Sequence, residues 1–313
     1  MIFMKGVTVM LEIKNVTKKF GDKVALDNLS FKVPEGSVFG LIGSNGSGKS
    51  TLLRIISGVF NCDEGCVEID GEVAYENPQA KEKCFFISDF PYFYNSSTVN
   101  TMADFYRSLY TTWDDNKFKK ICAIFPINAD DKIINMSKGM QRQAALIIAL
   151  SVCPKYILLD EIFDGLDPVV RQLIKKLLME MVAENKTTVI IASHNLRELE
   201  DVCDHIGLIH KGGVVMEKDL DEAKLGMHRV QAVFQDELGE GVFNDLNIVN
   251  IKRQGKMIVF TARGDKDTVE NAVKAKKPVY MEMLPLTLEE VFISEMEAVG
   301  YDINNIIKEE IFL

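Results

Sequence analysis

Nine consecutive residues, Gly43-Ser44-Asn45-Gly46-Ser47-Gly48-Lys49-Ser50-Thr51, have the make-up of a phosphate cradle. Glycines let backbone N–H groups converge on phosphate oxygens, and a helix that starts behind them favours negative charge at its N-terminus. The segment fits the pattern G-x-x-x-x-G-K-[ST]. In that pattern the lysine reaches the β- and γ-phosphates of a nucleotide, and the following hydroxyl holds Mg2+. Lys49 and Ser50 occupy those two places. A magnesium nucleotide also needs a carboxylate. Tyr156-Ile157-Leu158-Leu159-Asp160-Glu161 supplies two at the end of an apolar run. Asp160 fits the metal-water contact, and Glu161 can polarise an attacking water. Alone, two acids at a strand end read as solvated charge; beside the loop they complete a phosphoryl-transfer site.

These groups need elements to hold them. Residues 38–42 are a short apolar run ending at Gly43, which predicts a buried strand running straight into the loop, and residues 51–56 predict a helix after it. Residues 156–159 and 189–192 predict two more buried strands, and residues 141–152 and 169–182 carry helical patterns between them. Buried strands separated by helices imply a parallel α/β sheet. Leu11, Ile13, Leu29, Phe31 and Val33 alternate with polar residues, which predicts an antiparallel annex. Near residue 215 the character changes. Residues 229–234, 247–252 and 257–262 alternate like strands, with Gln254-Gly255 as a turn. Residues 267–275 and 287–299 read as helices, the second opened by a Thr287/Glu290 capping box after Pro285. Two domains are therefore expected, residues 1–218 (with a helical subdomain at about 88–152) and a small α+β domain at 219–313.

The order of motifs resembles the ATP-binding subunit of an ABC transporter. The phosphate loop comes first, then Met136-Ser137-Lys138-Gly139-Met140-Gln141, Asp160-Glu161, Gly165-Leu166-Asp167-Pro168 and Ser193-His194. The resemblance spans about residues 11–218. It implies a P-loop ATPase fold, with parallel core, β annex and helical subdomain, that hydrolyses Mg-ATP. It implies that Phe20, with Val24 beside it, stacks on adenine; the family more often has tyrosine at the position of Phe20, and phenylalanine keeps the π-face. It implies that Ser137 and Gly139 bind the γ-phosphate held by a second copy of the chain, and that Asp167 lies at the seam of that head-to-tail dimer. His194 would contact the γ-phosphate. The partner of such a dimer is an integral-membrane permease on a separate chain, so the resemblance places the protein in the cytoplasm, peripheral on the inner face of the cell membrane.

The sequence departs from the family pattern in three places. Lys138 and Met140 stand where glycine and glutamine are usual, Ile162 replaces the proline after the glutamate, and Asp89 falls at the position of a glutamine that touches Mg2+. A carboxylate can ligate Mg2+ but, when ionised, cannot donate a hydrogen bond. Asp89 therefore joins Ser50 and Asp160 as an expected metal ligand. The aromatics Phe85, Phe86, Phe90, Tyr92, Phe93 and Tyr94 surround it. They read either as core of the helical subdomain or as a socket for a permease's cytoplasmic helix. Ser137-Lys138-Gly139-Met140 and the ending 284–292 resemble the bacterial exporters with a separate permease, linked to peptide-antibiotic resistance or envelope stress.

Composition narrows the alternatives. With 36 basic and 46 acidic residues the net charge is −10, which argues against a sequence-independent nucleic-acid binder. No apolar run reaches the 18 or so residues needed to cross a bilayer, and residues 1–10 lack the form of a signal peptide. Residues 1–9 read as an extension before the first strand or as a misassigned start. The six cysteines are spread out; only Cys62 and Cys66 are close, and no histidine completes a zinc set. The competing reading is a soluble ABC-type ATPase acting on a cytosolic partner. Coiled-coil inserts, tandem ATPase halves or a basic arm would mark one, and the sequence has none of them. A module that binds nucleotide without turnover is motivated by Asp89 and Ile162 and opposed by Glu161 and His194.

Overall fold

The computed structural model describes residues 9–239, 241–284 and 286–298. The expectations for residues 1–8, Glu240, Pro285 and everything after residue 298 lie outside them. The chain forms two compact units, Met1–Glu217 and Lys218–Leu313. Among the described residues, no helix is long and apolar enough to cross a membrane.

The first unit opens with a hairpin, β1 (Val9–Phe20) and β2 (Lys23–Pro34). Strand β3 (Val38–Ile42) leads through the glycine-rich loop into helix α1 (Lys49–Ile56). Next come β4 (Glu64–Ile69), β5 (Glu72–Val73), the short α2 (Pro78–Glu82) and β6 (Cys84–Ile87). Helices α3 (Val99–Leu109), α4 (Asp115–Ile124) and α5 (Lys138–Val152) follow. Strands and helices then alternate through β7 (Tyr156–Asp160), α6 (Pro168–Asn185), β8 (Thr188–Ser193), α7 (Leu196–Glu200), β9 (His205–His210) and β10 (Gly213–Asp219).

The strands make two sheets. One is antiparallel, in the order β2-β1-β4-β5, and the other has the order β10-β9-β3-β8-β7-β6. In the latter, the pairs from β9 through β6 are parallel. Every residue of β3, β7 and β8 is buried, as befits strands covered on both faces. Helix α1 lies between the sheets: Leu52, Leu53, Ile55 and Ile56 join one core with Leu11 and Val33 of the annex and Phe39, Leu158 and Ile190 of the parallel sheet. Each such fully buried side chain contributes roughly 2 kcal/mol of transfer free energy. Helix α5 is buried all round from Arg142 to Val152, which explains its unbroken apolar run. Phe85 and Phe86, expected in a loop or helical core, instead lie in edge strand β6.

In the second unit α8 (Leu220–Lys224) precedes β11 (Met227–Val233), β12 (Asn247–Gln254), β13 (Met257–Arg263), α9 (Lys266–Ala275), β14 (Tyr280–Leu284) and α10 (Leu288–Ala298). The sheet is antiparallel, in the order β12-β13-β11-β14. Its core holds Val230, Phe234, Phe243, Phe260 and, from α9, Val269 and Val273. The turn at Gly255 and the Thr287/Glu290 capping box form as predicted, with Glu290 N–H donating to Thr287 Oγ1 at 3.3 Å and Thr287 N–H to Glu290 Oε2 at 3.1 Å. Strand β14 was not anticipated; it is a half-exposed edge strand containing Glu282.

The strand that carries the acids is anchored at its other end. Asp70 and Gly71 both adopt positive φ, +53° and +81°, the geometry of a two-residue hairpin turn between β4 and β5. There Asp70 accepts from Tyr156 OH at 2.8 Å and Lys155 Nζ at 2.8 Å, with Lys83 Nζ 2.9 Å away. Burial alone would raise the Asp70 carboxyl. The Lys155, Lys83 and Tyr156 donors outweigh it and hold the group below the ordinary carboxylate value. The folded chain thus gains stability above the unfolded-state value near pH 4, and loses it as pH falls through the folded one. Asp70→Asn is expected to lower unfolding free energy by about 1–2 kcal/mol at pH 7. In urea titrations its gap to wild type should close toward pH 3; a gap independent of pH would refute the ionic part of this anchor.

Candidate active site

The loop after β3 is shaped by contacts that only glycine permits. A Cβ on Gly43 would sit 2.4 Å from the Ile209 carbonyl and 2.4 Å from Ser47 Oγ. One on Gly48 (φ +112°) would sit 2.6 Å from the Ala25 carbonyl, so the loop is pressed against the β1–β2 hairpin. Gly46 (φ +78°) has nothing within 4 Å. Gly48 caps α1 with no side-chain hydrogen bond, leaving the first-turn N–H groups of that helix without a side-chain acceptor. Ser44 and Asn45 are exposed at the loop, whereas Ser47 is buried. Thr51 is partly buried in the first turn.

Lys49 folds back over this loop. Its Nζ donates to the Gly43 carbonyl at 2.8 Å and the Ser44 carbonyl at 3.3 Å, and lies 3.8 Å from Glu161 Oε1. Burial pushes its ammonium below the usual lysine value, opposed by the charges of Glu161 and Asp160. Ser50 Oγ donates to Asp160 Oδ1 at 3.0 Å. Asp160 is fully buried, and its Oδ2 has no partner among the described residues. Burial pushes its carboxyl up to about 6; the Ser50 hydrogen bond opposes this, and the charges of Asp89 and Glu161 add to it. An orphaned carboxylate oxygen beside a serine hydroxyl is an oxygen donor set that suits a hard divalent cation, so these residues fit Mg2+.

Glu161 leaves β7 in the left-handed region (φ +48°), its N–H held by the Ala192 carbonyl at 2.9 Å. Its Oε2 lies 2.9 Å from His194 Nδ1, beyond the end of β8. A chain of contacts thus runs Lys49–Glu161–His194 across the carboxyl ends of three neighbouring parallel strands, where open α/β sheets bind ligands.

A family model described as ABC transporter matches residues 26–164. The chain is 29% identical to the ABC transporter ATP-binding protein YtrB of Bacillus subtilis, over 91% of this chain and 98% of that one. It is 33% identical to the uncharacterized ABC transporter ATP-binding protein MJ1023 of Methanocaldococcus jannaschii, over 66% of this chain and 76% of that one. The chain belongs to the ABC transporter ATP-binding family. Among solved structures, the dimeric post-hydrolysis cassette MJ0796 bound to ADP and Pi superposes with a TM-score of 0.61 at 26% identity, covering 67% of this chain and 99% of that one. The protein is thus an ABC-type ATPase of P-loop fold that uses ATP and Mg2+.

The remaining expected site residues of this ABC subunit are distributed as follows. Phe20 and Val24 lie on the β1–β2 hairpin and are about half exposed, at 47% and 43%. Phe20 packs edge-on against Phe60, with Lys18 Nζ over its ring. Ser137 caps α5, accepting from Met140 N–H at 3.2 Å. Asp167 caps α6, accepting from the N–H groups of Val169 and Val170 at 3.0 Å each. Gly139 touches the same turn: a Cβ there would lie 2.8 Å from the Gly165 carbonyl. Asp89 has a basic neighbour besides. Its Oδ1 is 3.7 Å from the Arg54 guanidinium on α1, although its charge still reaches Asp160.

Several residues at the site were invisible to the sequence reading. Arg142 donates to the Asp89 and Asp164 carbonyls, and Arg171 donates to the Leu166 carbonyl at 3.2 Å while pairing with Glu198 at 3.0 Å. Asp164 gathers with Glu161 and His194. Only their short distance from the motifs could have flagged them.

The buried Asp160 has a measurable consequence for the nucleotide-free protein. Its folded value, about 6, is above the unfolded one. The folded state is therefore favoured most where the carboxyl is neutral in both states, below about pH 4, and that advantage is lost as pH rises through about 6. Asp160→Asn keeps a partner for Ser50 and removes the charge. It is expected to raise unfolding free energy by about 2 kcal/mol at pH 8, with no gain near pH 4, while ATPase activity falls. Calorimetric scans at the two pH values check this; a destabilised variant at pH 8 would contradict it.

Proposed function

We propose that this chain is the ATP-hydrolysing subunit of an exporter, working as a head-to-tail pair of identical subunits beneath a separate membrane permease. The observation that carries the reading is the contact chain Lys49–Glu161–His194 at the mouth of the loop. In this reading Lys49 exchanges the Gly43 and Ser44 carbonyls for the β- and γ-phosphates. The free N–H groups of the first turn of α1 take the remaining phosphate charge. Ser50 and Asp160 would hold Mg2+, and Asp89, whose charge reaches Asp160, would add a ligand. When bound, Mg2+ neutralises charge on the phosphate oxygens. Glu161 accepts a proton from the attacking water, and His194 fixes the Glu161 carboxylate in place and touches the γ-phosphate. Phe20 offers a half-exposed π-face to adenine, with Val24 beside it.

Each half of the pair would complete the other's site. Ser137 and Gly139 at the start of α5, with Asp167 across the turn from Gly139, would meet the nucleotide held by the second copy. The dimeric form of MJ0796 supports this arrangement by analogy. Lys138 would bring a positive charge toward the same phosphate. Export follows from the resemblance carried by residues 137–140 and the ending 284–292.

The permease would engage the aromatic loop. Phe90, Tyr92 and Tyr94 are 67%, 81% and 61% exposed, and a cavity beside them is lined by Phe86, Phe93, Tyr106 and Ile148. Aromatics with exposed faces beside an apolar pocket suit the insertion of a partner's helix. The protein would then be cytoplasmic, held at the inner face of the membrane by that partner.

Glu161→Gln removes the proton acceptor and keeps the shape. It is expected to lower kcat a hundredfold or more while retaining ATP. Expressed in its native cell and isolated from membranes with Mg-ATP, it should migrate as a dimer and bring down a stoichiometric multi-span protein. Recovery only from cytosol, with no membrane partner, would replace this reading with that of a soluble ABC-type ATPase.

A further inference from the structure

Two residues of the aromatic loop are tied to two helices, α1 and α5. The Asp89 carboxylate faces Arg54 on α1 at 3.7 Å. The Asp89 carbonyl accepts from Arg142 on α5 at 3.0 Å. The ring of Phe90 lies under Lys138, in the first turn of α5, with the ammonium 5.4 Å from its centroid. Arg142 does not stop at the loop. Its other amino group donates to the Asp164 carbonyl, in the turn that begins at Glu161. That turn has little of its own to hold it. Its internal backbone hydrogen bonds are long, Asp164 N–H to the Glu161 carbonyl at 3.2 Å and Leu166 N–H to the Phe163 carbonyl at 3.4 Å. Gly139 lies against its Gly165 carbonyl, and Arg171 holds its Leu166 carbonyl.

Arg142 as a residue is 9% exposed. A planar fork with two donors on separate nitrogens can grip two carbonyls at a fixed separation, which a single ammonium cannot do with the same geometry. A push on the Asp89–Phe90 backbone is therefore passed rigidly to Asp164, three residues from Glu161. We propose that Arg142 is the positioning residue that couples the exposed aromatic loop to the Glu161 turn, so that occupation of that loop sets the placement of Glu161. This rests on the reading of the loop as the permease contact and deepens it. The residue does no chemistry itself.

The test is a double-mutant cycle on the full-length chain, nucleotide-free, using Phe90→Ala to loosen the loop and Arg142→Lys to break the fork while keeping charge and most of the volume. The first readout is amide hydrogen exchange across residues 162–167. In the wild-type background Phe90→Ala should speed exchange about threefold or more; in the Arg142→Lys background exchange is already fast, and Phe90→Ala should change it by less than about 1.5-fold. The second readout is steady-state ATPase. Arg142→Lys should lower kcat about tenfold with the KM for ATP within about twofold, because the loop that binds nucleotide is untouched. Arg142→Gln serves as a second variant if the lysine form is unstable, with the same pattern expected.

Equal effects of Phe90→Ala in the two backgrounds overturn the proposal, whatever their size. So does a loss carried in KM rather than kcat. Neither readout uses a permease, so a failure here leaves the transport reading standing. Failure to recover a membrane partner, with the coupling intact, would fail that reading alone.

Discussion

A carboxylate in a dry place governs this molecule. Asp160 ends the fully buried strand β7 with no exposed surface and one oxygen unmatched by any described protein group. No arrangement of the surrounding apolar residues makes that favourable by itself. The β4–β5 turn grips the far end of the strand through Asp70, and the two sheets clamp α1 so that Ser50 meets the carboxylate. Much of the first unit is in effect a mount that keeps an unfavourable charge where a cation can use it.

The site's moving parts are held by cations gripping backbone carbonyls. Lys49 takes those of Gly43 and Ser44, Arg142 those of Asp89 and Asp164, and Arg171 that of Leu166. Such bonds are charge-assisted, yet the carbonyl they hold belongs to a loop with no ladder to either side. This combination gives segments that are well placed and still able to shift together. In the function proposed above, substrate phosphate would compete for one of the cations, Lys49, and nucleotide binding would exchange its internal hydrogen bonds for external ones.

Much of this was legible in the residues. Strands β3, β7 and β8 announce themselves because both faces are covered and each carries a continuous apolar run; the glycine-rich loop does so because its conformation excludes side chains. Other parts were hidden for equally physical reasons. Strand β14 is a five-residue edge in which Met281 and Met283 face the core and Tyr280 and Glu282 the solvent, an alternation too short to mark a strand. Strand β6 merges in sequence with the aromatic loop. Arg142 and Arg171 act on carbonyls, and a carbonyl is present at every position, so no residue type on the partner side marks the contact. Folding also sets the Asp89 carboxylate beside Arg54, a neighbour that spacing along the chain could not reveal.

The backbone of Glu161 is in the left-handed region, where a residue with a Cβ is disfavoured by about 1 kcal/mol relative to glycine. Selection on folding alone therefore pulls against glutamate at this position, and in the function proposed above turnover is what would keep it there. In a lineage where turnover ceased to matter, glycine or asparagine would be expected to arise at 161 early, while the phosphate loop still looked intact. Such a descendant would keep every visible motif of the loop and have lost its catalyst, making residue 161 an early place to look for the retirement of the enzyme.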